Sequence, residues 1–149
     1  MRSHSPQLQK GFTLMEIVIV AAIIAIGSAV AVLSWPDTGA RLLQREGDRL
    51  SALLESARVN SRASGQALVW QPTETGFVFR GNAPHFIATM PNKWLNPGVV
   101  AHTNGPIVLG PEPLLPAQSI TLRLQGQPQA QAVVKTDGLA AFSTQVQQQ

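Results

Sequence analysis

Residues 10 to 16 read Lys10-Gly11-Phe12-Thr13-Leu14-Met15-Glu16, and Glu16 is the only charged residue between Phe12 and Leu33. A carboxylate inside an apolar run costs about 2.5–3.5 kcal/mol at a bilayer centre, less near an edge, and ordinarily has a partner. The chemistry open to it is charge neutralisation. A cation lying beside the positive end of a helix that starts there is one such partner. A carboxylate from the same chain or a neighbouring one compensates that charge in a low dielectric.

Other chemistry has little to work with. The chain has no cysteine, and His4, His85 and His102 are scattered. No paired-histidine spacing suggests a metal. Asp137 alone cannot supply the six to eight oxygens that calcium wants. No phosphate-cradling glycine loop or nucleophile elbow is present. We therefore expect no catalytic residue, no metal, no cofactor and no enzymatic activity.

The element that must position Glu16 is the apolar run itself. From Phe12 to Leu33 it would rise roughly 33 Å as a helix, enough to cross a bilayer core. Arg2 and Lys10 lie upstream, so the positive-inside rule keeps that end cytoplasmic. Ala29-Val30-Ala31 offers a site for a secretory signal peptidase. However, the run exceeds the ~7–15 apolar residues of such signals and contains a charge. A plain single-span anchor would leave Glu16 without a purpose.

Taken together, the basic leader, Gly11-Phe12-Thr13, the lone Glu16 and the long apolar helix closely resemble the processing site of type IV pilins and pseudopilins. Met15 stands where such chains often carry Leu or Ile. The resemblance implies cleavage after Gly11 by a prepilin peptidase, N-methylation of Phe12, and Glu16 of one subunit facing the amine of another. Leu14, Ile17, Val18, Val20, Ile23, Ile24 and Ile26 would face lipid before assembly and neighbouring helices afterwards. The implied fold is α+β and pilin-like: a long N-terminal helix, half membrane-spanning and half amphipathic, packed on a C-terminal antiparallel β-sheet domain. The implied setting is the bacterial inner membrane, single-pass, with the N-terminus cytoplasmic and the C-terminal domain periplasmic.

Within that family the chain most resembles the H-type minor pseudopilin of type II secretion. The grounds are its length, the Leu50–Ala63 helix leading into Gly65-Gln66-Ala67-Leu68-Val69, the Trp94 loop and the Lys135-Thr136-Asp137-Gly138-Leu139 ending. That implies other minor and major pseudopilins and an inner-membrane assembly platform as partners.

The expected organisation is a leader at 1–11, an assembly helix at 12–35, an amphipathic helix at 36–64, a periplasmic β-rich domain at 65–144 and a disordered tail at 145–149. Trp35 suits a membrane–water interface, and Pro36 kinks or restarts the helix, with Asp37 or Thr38 as a cap. Leu43, Leu50, Leu53, Leu54 and Ala57 form one helical stripe. Gly47 weakens that helix by roughly 1 kcal/mol relative to alanine. Arg41, Arg45 and Arg49 recur at four-residue spacing, as do Arg58 and Arg62; we read them as a solvated face balanced by Glu46, Asp48 and Glu55. Ala67–Trp70 and Phe77–Phe79 form a hairpin about the 72–76 turn. Residues 81–106 form a loop anchored by Phe86, Ile87 and Trp94. Ile107–Leu109 and Ile120–Leu124 are strands. Val133-Val134 and Leu139–Phe142 make a last hairpin about Asp137-Gly138, itself merely a turn.

Formal net charge is +3, from 11 basic and 8 acidic residues, and loss of Arg2 and Lys10 with a leader brings it near neutrality. Nucleic-acid binding therefore gains little from charge. Two rival functions remain: a minor pilin of a type IV pilus, including one serving DNA uptake, and a periplasmic binding protein on a pilin-like anchor. DNA uptake would need Arg58, Arg62, Arg80, Arg123 and Lys135 to converge.

Overall fold

The computed structural model describes residues 14–33 and 38–148. Gly11, Phe12, Trp35, Pro36 and Asp37 lie outside the described residues, and with them the cleavage, interface and kink expectations. Two compact units divide the chain, Met1–Pro36 and Asp37–Gln149.

The first unit contains α1 (Leu14–Leu33). Its Ile, Val, Ala and Leu residues include no proline, and a helix satisfies every interior backbone group within itself. From Leu14 to Ser28 every side chain is exposed, on all sides of the helix. A helix that is apolar all round is one that some other apolar medium covers. Over the residues whose side chains are described, 14–28 in this helix, no helix is long and apolar enough to cross a membrane.

The second unit is built on α2 (Thr38–Ser64). Leu43, Leu50, Leu54 and Ala57 are fully buried along one stripe. Gly65, at φ +68°, ends the helix in the left-handed conformation that glycine adopts without cost.

Seven strands follow in two antiparallel sheets. β1 (Leu68–Pro72) lies between β2 (Phe77–Gly81) and β4 (Ile107–Leu109); the second sheet runs β3 (Val99–His102), β5 (Gln118–Leu124), β6 (Gln127–Thr136), β7 (Ser143–Gln148). The β1–β2 hairpin is the expected one, its turn closed by Thr73 N–H donating to the Gly76 carbonyl at 3.0 Å. β5 alternates as the sequence indicates, with Ile120 and Leu122 buried. The second sheet covers the α2 stripe mainly through β6 and β7. Beyond it, Phe77 packs at a tilt against Trp94 at 4.8 Å and Trp70 at 5.9 Å, and meets Phe79 edge-on. This is an α+β fold with an N-terminal helix followed by an antiparallel sheet domain, consistent with a pilin-like architecture.

Several expectations need correction. The 81–106 segment holds α3 (Pro84–Thr89) as well as β3, although Trp94 is indeed a buried anchor and Phe86 and Ile87 pack against the core. The last hairpin joins β6 to β7, with Leu139–Phe142 in the connection. The expected disordered tail is largely strand: β7 pairs with β6 through Gln148. Its register sets Val146 opposite Ala132 on the inward face and Gln145 and Gln147 outward. One half-buried valine among glutamines gives too little contrast to read as alternation, whereas the β6 edge supplies the backbone partners that glutamine needs to be a strand residue.

Gly47 also changes meaning. It is buried in the α2–β7 interface, where a Cβ would overlap the Thr144 methyl, and the neighbouring Ser51 hydroxyl lies 3.2 Å from the Thr144 hydroxyl. Its absent side chain lets β7 approach. Gly47→Ala gains about 1 kcal/mol of helix propensity against an overpacking cost of ~1–3 kcal/mol, so it is expected to destabilise the domain by a net of up to ~2 kcal/mol. Denaturant unfolding checks this, and Thr144→Ser, which removes the methyl, should recover part of the loss in the double variant.

Candidate assembly site

Glu16 lies in the first turn of α1. Backbone N–H groups with no helical partner collect at that end, so a carboxylate is favoured there even before a neighbour is considered. It is solvent-exposed, as are the apolar residues that follow. Exposure runs from 47% at Val20 to 83% at Leu14, with Ile17, Val18, Ile23, Ile24 and Ile26 between. These seven residues sit on one uninterrupted helix, and Ser28 folds its hydroxyl back to the Ile24 carbonyl at 2.7 Å. The arrangement offers one negative charge at the head of a wholly apolar rod. That can neutralise a cation and associate with apolar surfaces.

The second unit shows polar residues that the sequence reading placed wrongly. Arg58 is 3% exposed, not on a solvated face. Its guanidinium donates to the Gly138 carbonyl at 2.7 Å and the Ala140 carbonyl at 3.2 Å, and lies 3.5 Å from Glu55. Glu55 in turn accepts from the Phe142 N–H at 3.0 Å. Glu46 is likewise buried, accepting from the Asn96 N–H at 2.7 Å. Arg49 and Arg62 reach the Lys93 and Pro113 carbonyls. Arg41, Arg45 and Arg62 are exposed, as expected of the stripe; the first two border an open groove of about 430 Å³ beside Leu42 and Leu95. With Arg58 buried, the five basic residues named for DNA do not form one exposed set.

Asp137-Gly138 is more than a turn. The Asp137 carboxylate accepts from the N–H groups of Ala140 and Leu139, at 2.8 and 2.9 Å. These bonds, Ala140 first, hold its pKa below the ordinary carboxylate value, with the Arg58 charge adding a little. Thr136 accepts the Gly138 N–H and donates to the Ala140 carbonyl. Gly138, at φ +93°, has no room for a Cβ against the Leu115 carbonyl. The Thr-Asp-Gly order could have signalled this knot, since short polar side chains cap their own backbone; the part Arg58 plays, 80 residues away, could not be read locally.

Among known families, the prokaryotic N-terminal methylation motif matches residues 7–32. No curated protein and no solved structure shows a significant match to the chain. The matched segment brackets Gly11, Phe12 and Glu16 and runs almost to the end of α1. With the N-terminal helix followed by antiparallel sheets, it supports a type IV pilin-like protein, of a pilus or a pseudopilus, processed by a prepilin peptidase and working among pilin-like partners.

The depressed Asp137 pKa predicts a pH dependence. The ionised form is the one held in the fold, so its contribution is full above the ordinary carboxylate pKa and is lost as pH falls through the lowered value. The stability difference between the natural chain and Asp137→Asn should be greatest near neutrality and shrink under acid, measured by unfolding across pH.

Proposed function

We propose that the chain is a minor pseudopilin of a type II secretion pseudopilus. It is cleaved after Gly11 by a prepilin peptidase, N-methylated on Phe12, and held as a single-pass protein of the bacterial inner membrane until assembly. Its N-terminus is cytoplasmic before cleavage and its β domain periplasmic. It enters a periplasmic fibre, with other minor and major pseudopilins on an inner-membrane assembly platform, that drives protein export through the outer membrane. It has no catalytic activity of its own and no cofactor; the chemistry belongs to the peptidase.

The observation that carries this reading is the methylation motif at residues 7–32, with Glu16 in the first turn of an apolar helix. In assembly the Phe12 amine of one subunit meets Glu16 of another, and both leave water together. An ion pair in low dielectric is worth keeping only when both members are present. A subunit lacking its partner is therefore penalised, and the pair acts as a docking check. The apolar positions from Leu14 to Ile26 then exchange lipid for neighbouring helices at little net cost, because both are equally apolar.

The type II assignment rests on the resemblance of the 50–69 segment, the Trp94 loop and the 135–139 ending, and a type IV pilus minor pilin is its rival. Salt-dependent DNA binding by the mature protein would favour a DNA-uptake pilin; turnover or a specific small ligand would favour an anchored binding protein or enzyme.

Mass and N-terminal sequence of the protein made with and without the peptidase test the processing. A mature chain beginning at methylated Phe12 is expected; one beginning at Val32, or still at Met1, overturns the reading. Glu16→Ala should be cleaved nearly normally yet enter fibres at least about tenfold less well, in line with the 3–5 kcal/mol typical of breaking a buried pair. Co-purification of sheared fibres measures that loss.

A further inference from the structure

An unpaired sheet edge exposes backbone donors and acceptors to any passing strand, and natural proteins blunt such edges. Three of the four edges here are managed. On β4, the Gln118 carboxamide occupies both Val108 backbone groups, accepting its N–H at 2.7 Å and donating to its carbonyl at 3.0 Å. On β2, the Phe77 N–H is taken by the Asn92 carbonyl at 3.0 Å, α3 packs alongside, and Arg80 stands exposed. β3 is four residues long, and its first N–H, on Val99, turns to the Asn96 carbonyl.

β7 is different. It pairs over six positions with β6, and among the described residues nothing pairs with its other side. Its sequence Ser-Thr-Gln-Val-Gln-Gln contains no charge, no proline and no glycine, and its pairing with β6 has no register shift. None of the usual blunting devices is present.

We propose that the outer edge of β7 pairs antiparallel with β7 of a second copy, joining two four-stranded sheets across a two-fold axis. The chemistry of the strand selects that occupant. An apolar partner strand would cover the exposed Gln145 and Gln147 without satisfying them, and a strand of one charge would satisfy only their acceptors or only their donors. A carboxamide both donates and accepts, so a strand of glutamines complements its own copy. The outward face already forms such a ladder, Arg123 to Gln131 at 3.3 Å and Gln131 to Gln147 at 2.9 Å. With the axis near Val146, Gln145 of each copy faces Gln147 of the other and the ladder continues across. Pairing identical strands antiparallel closes on itself, which yields a dimer rather than a filament. The inference stands without the fibre reading.

The test uses the full chain in detergent, followed by sedimentation over a range of concentrations. The natural chain should show a concentration-dependent dimer. Gln145→Lys with Gln147→Lys sets like charges opposite each other and should weaken dimerisation by about tenfold or more, with the circular dichroism and melting of the monomer unchanged because both positions are exposed. Arg80→Glu, on the β2 edge, should leave the dimer intact. Since the chain has no cysteine, a mixture of Gln145→Cys and Gln147→Cys chains should form a disulfide-linked dimer, and Arg80→Cys should not. If the lysine pair disturbs folding, the cross-linking decides alone. A monomer at every concentration, a dimer indifferent to the lysines, or equal cross-linking through Arg80→Cys each overturns the proposal.

Discussion

The stripe of Leu43, Leu50, Leu54 and Ala57 on α2 has nowhere to go but under a sheet. Each fully buried leucine contributes about 1.5–3 kcal/mol by leaving water, and none can do so while α2 stands alone. Isolated helices are marginal in any case, and tertiary packing of one face supplies most of their stability. The sheets meet the same requirement from the other side. β1, β5 and β6 each carry buried residues at every second position, and a sheet with one apolar face must cover it. The close approach that satisfies both is set by Gly47, where Thr144 of β7 occupies the space of the missing side chain.

Around that stripe the polar residues of α2 act as hooks for the connections between strands. Glu46 holds Asn96, Arg49 holds Lys93, Glu55 holds Phe142, Arg58 holds Gly138 and Ala140, and Arg62 reaches Pro113. All but the two carboxylate bonds use an arginine donating to a backbone carbonyl. That chemistry suits loops, whose carbonyls otherwise depend on water. The stem of each arginine can lie along apolar surface while its planar head carries several donors. The i, i+3 and i, i+4 spacing of these residues is therefore a spacing of grips, and it brings loops distant in sequence to a single helix.

Much of this was legible in the chain and some was not, for reasons that separate cleanly. Period and punctuation identified α2 to within a few residues, the β1–β2 hairpin and β5, because burial on one face leaves a repeating mark. The segment matched by the methylation motif was the most legible feature, since a solitary charge in an apolar run stands out against any background. Arg58 and Glu46 read as surface because a charge on a helix looks the same whether its partner is water or a backbone group 50 to 80 residues away. β7 was missed because its outward glutamines resemble a solvated tail until the β6 edge is known. Gly47 read as a flaw because helix propensity is local and the Thr144 methyl is not.

The two units thus solve opposite problems with the same kind of helix. α2 has one apolar face and covers it within its own chain. α1 is apolar on every side along residues 14–28, more surface than a single neighbour of ordinary size could cover. A helix left in that condition requires a continuous apolar environment, which a bilayer or a bundle of like helices provides equally well. Because the two environments are nearly equivalent for Leu, Ile and Val, those side chains cannot by themselves decide when the helix should pass from one to the other. A group with a strong preference has to decide it. Under the proposed function that group is Glu16, the one charge on α1, whose place in the first turn would put the decision at the end where a cut after Gly11 would expose an amine.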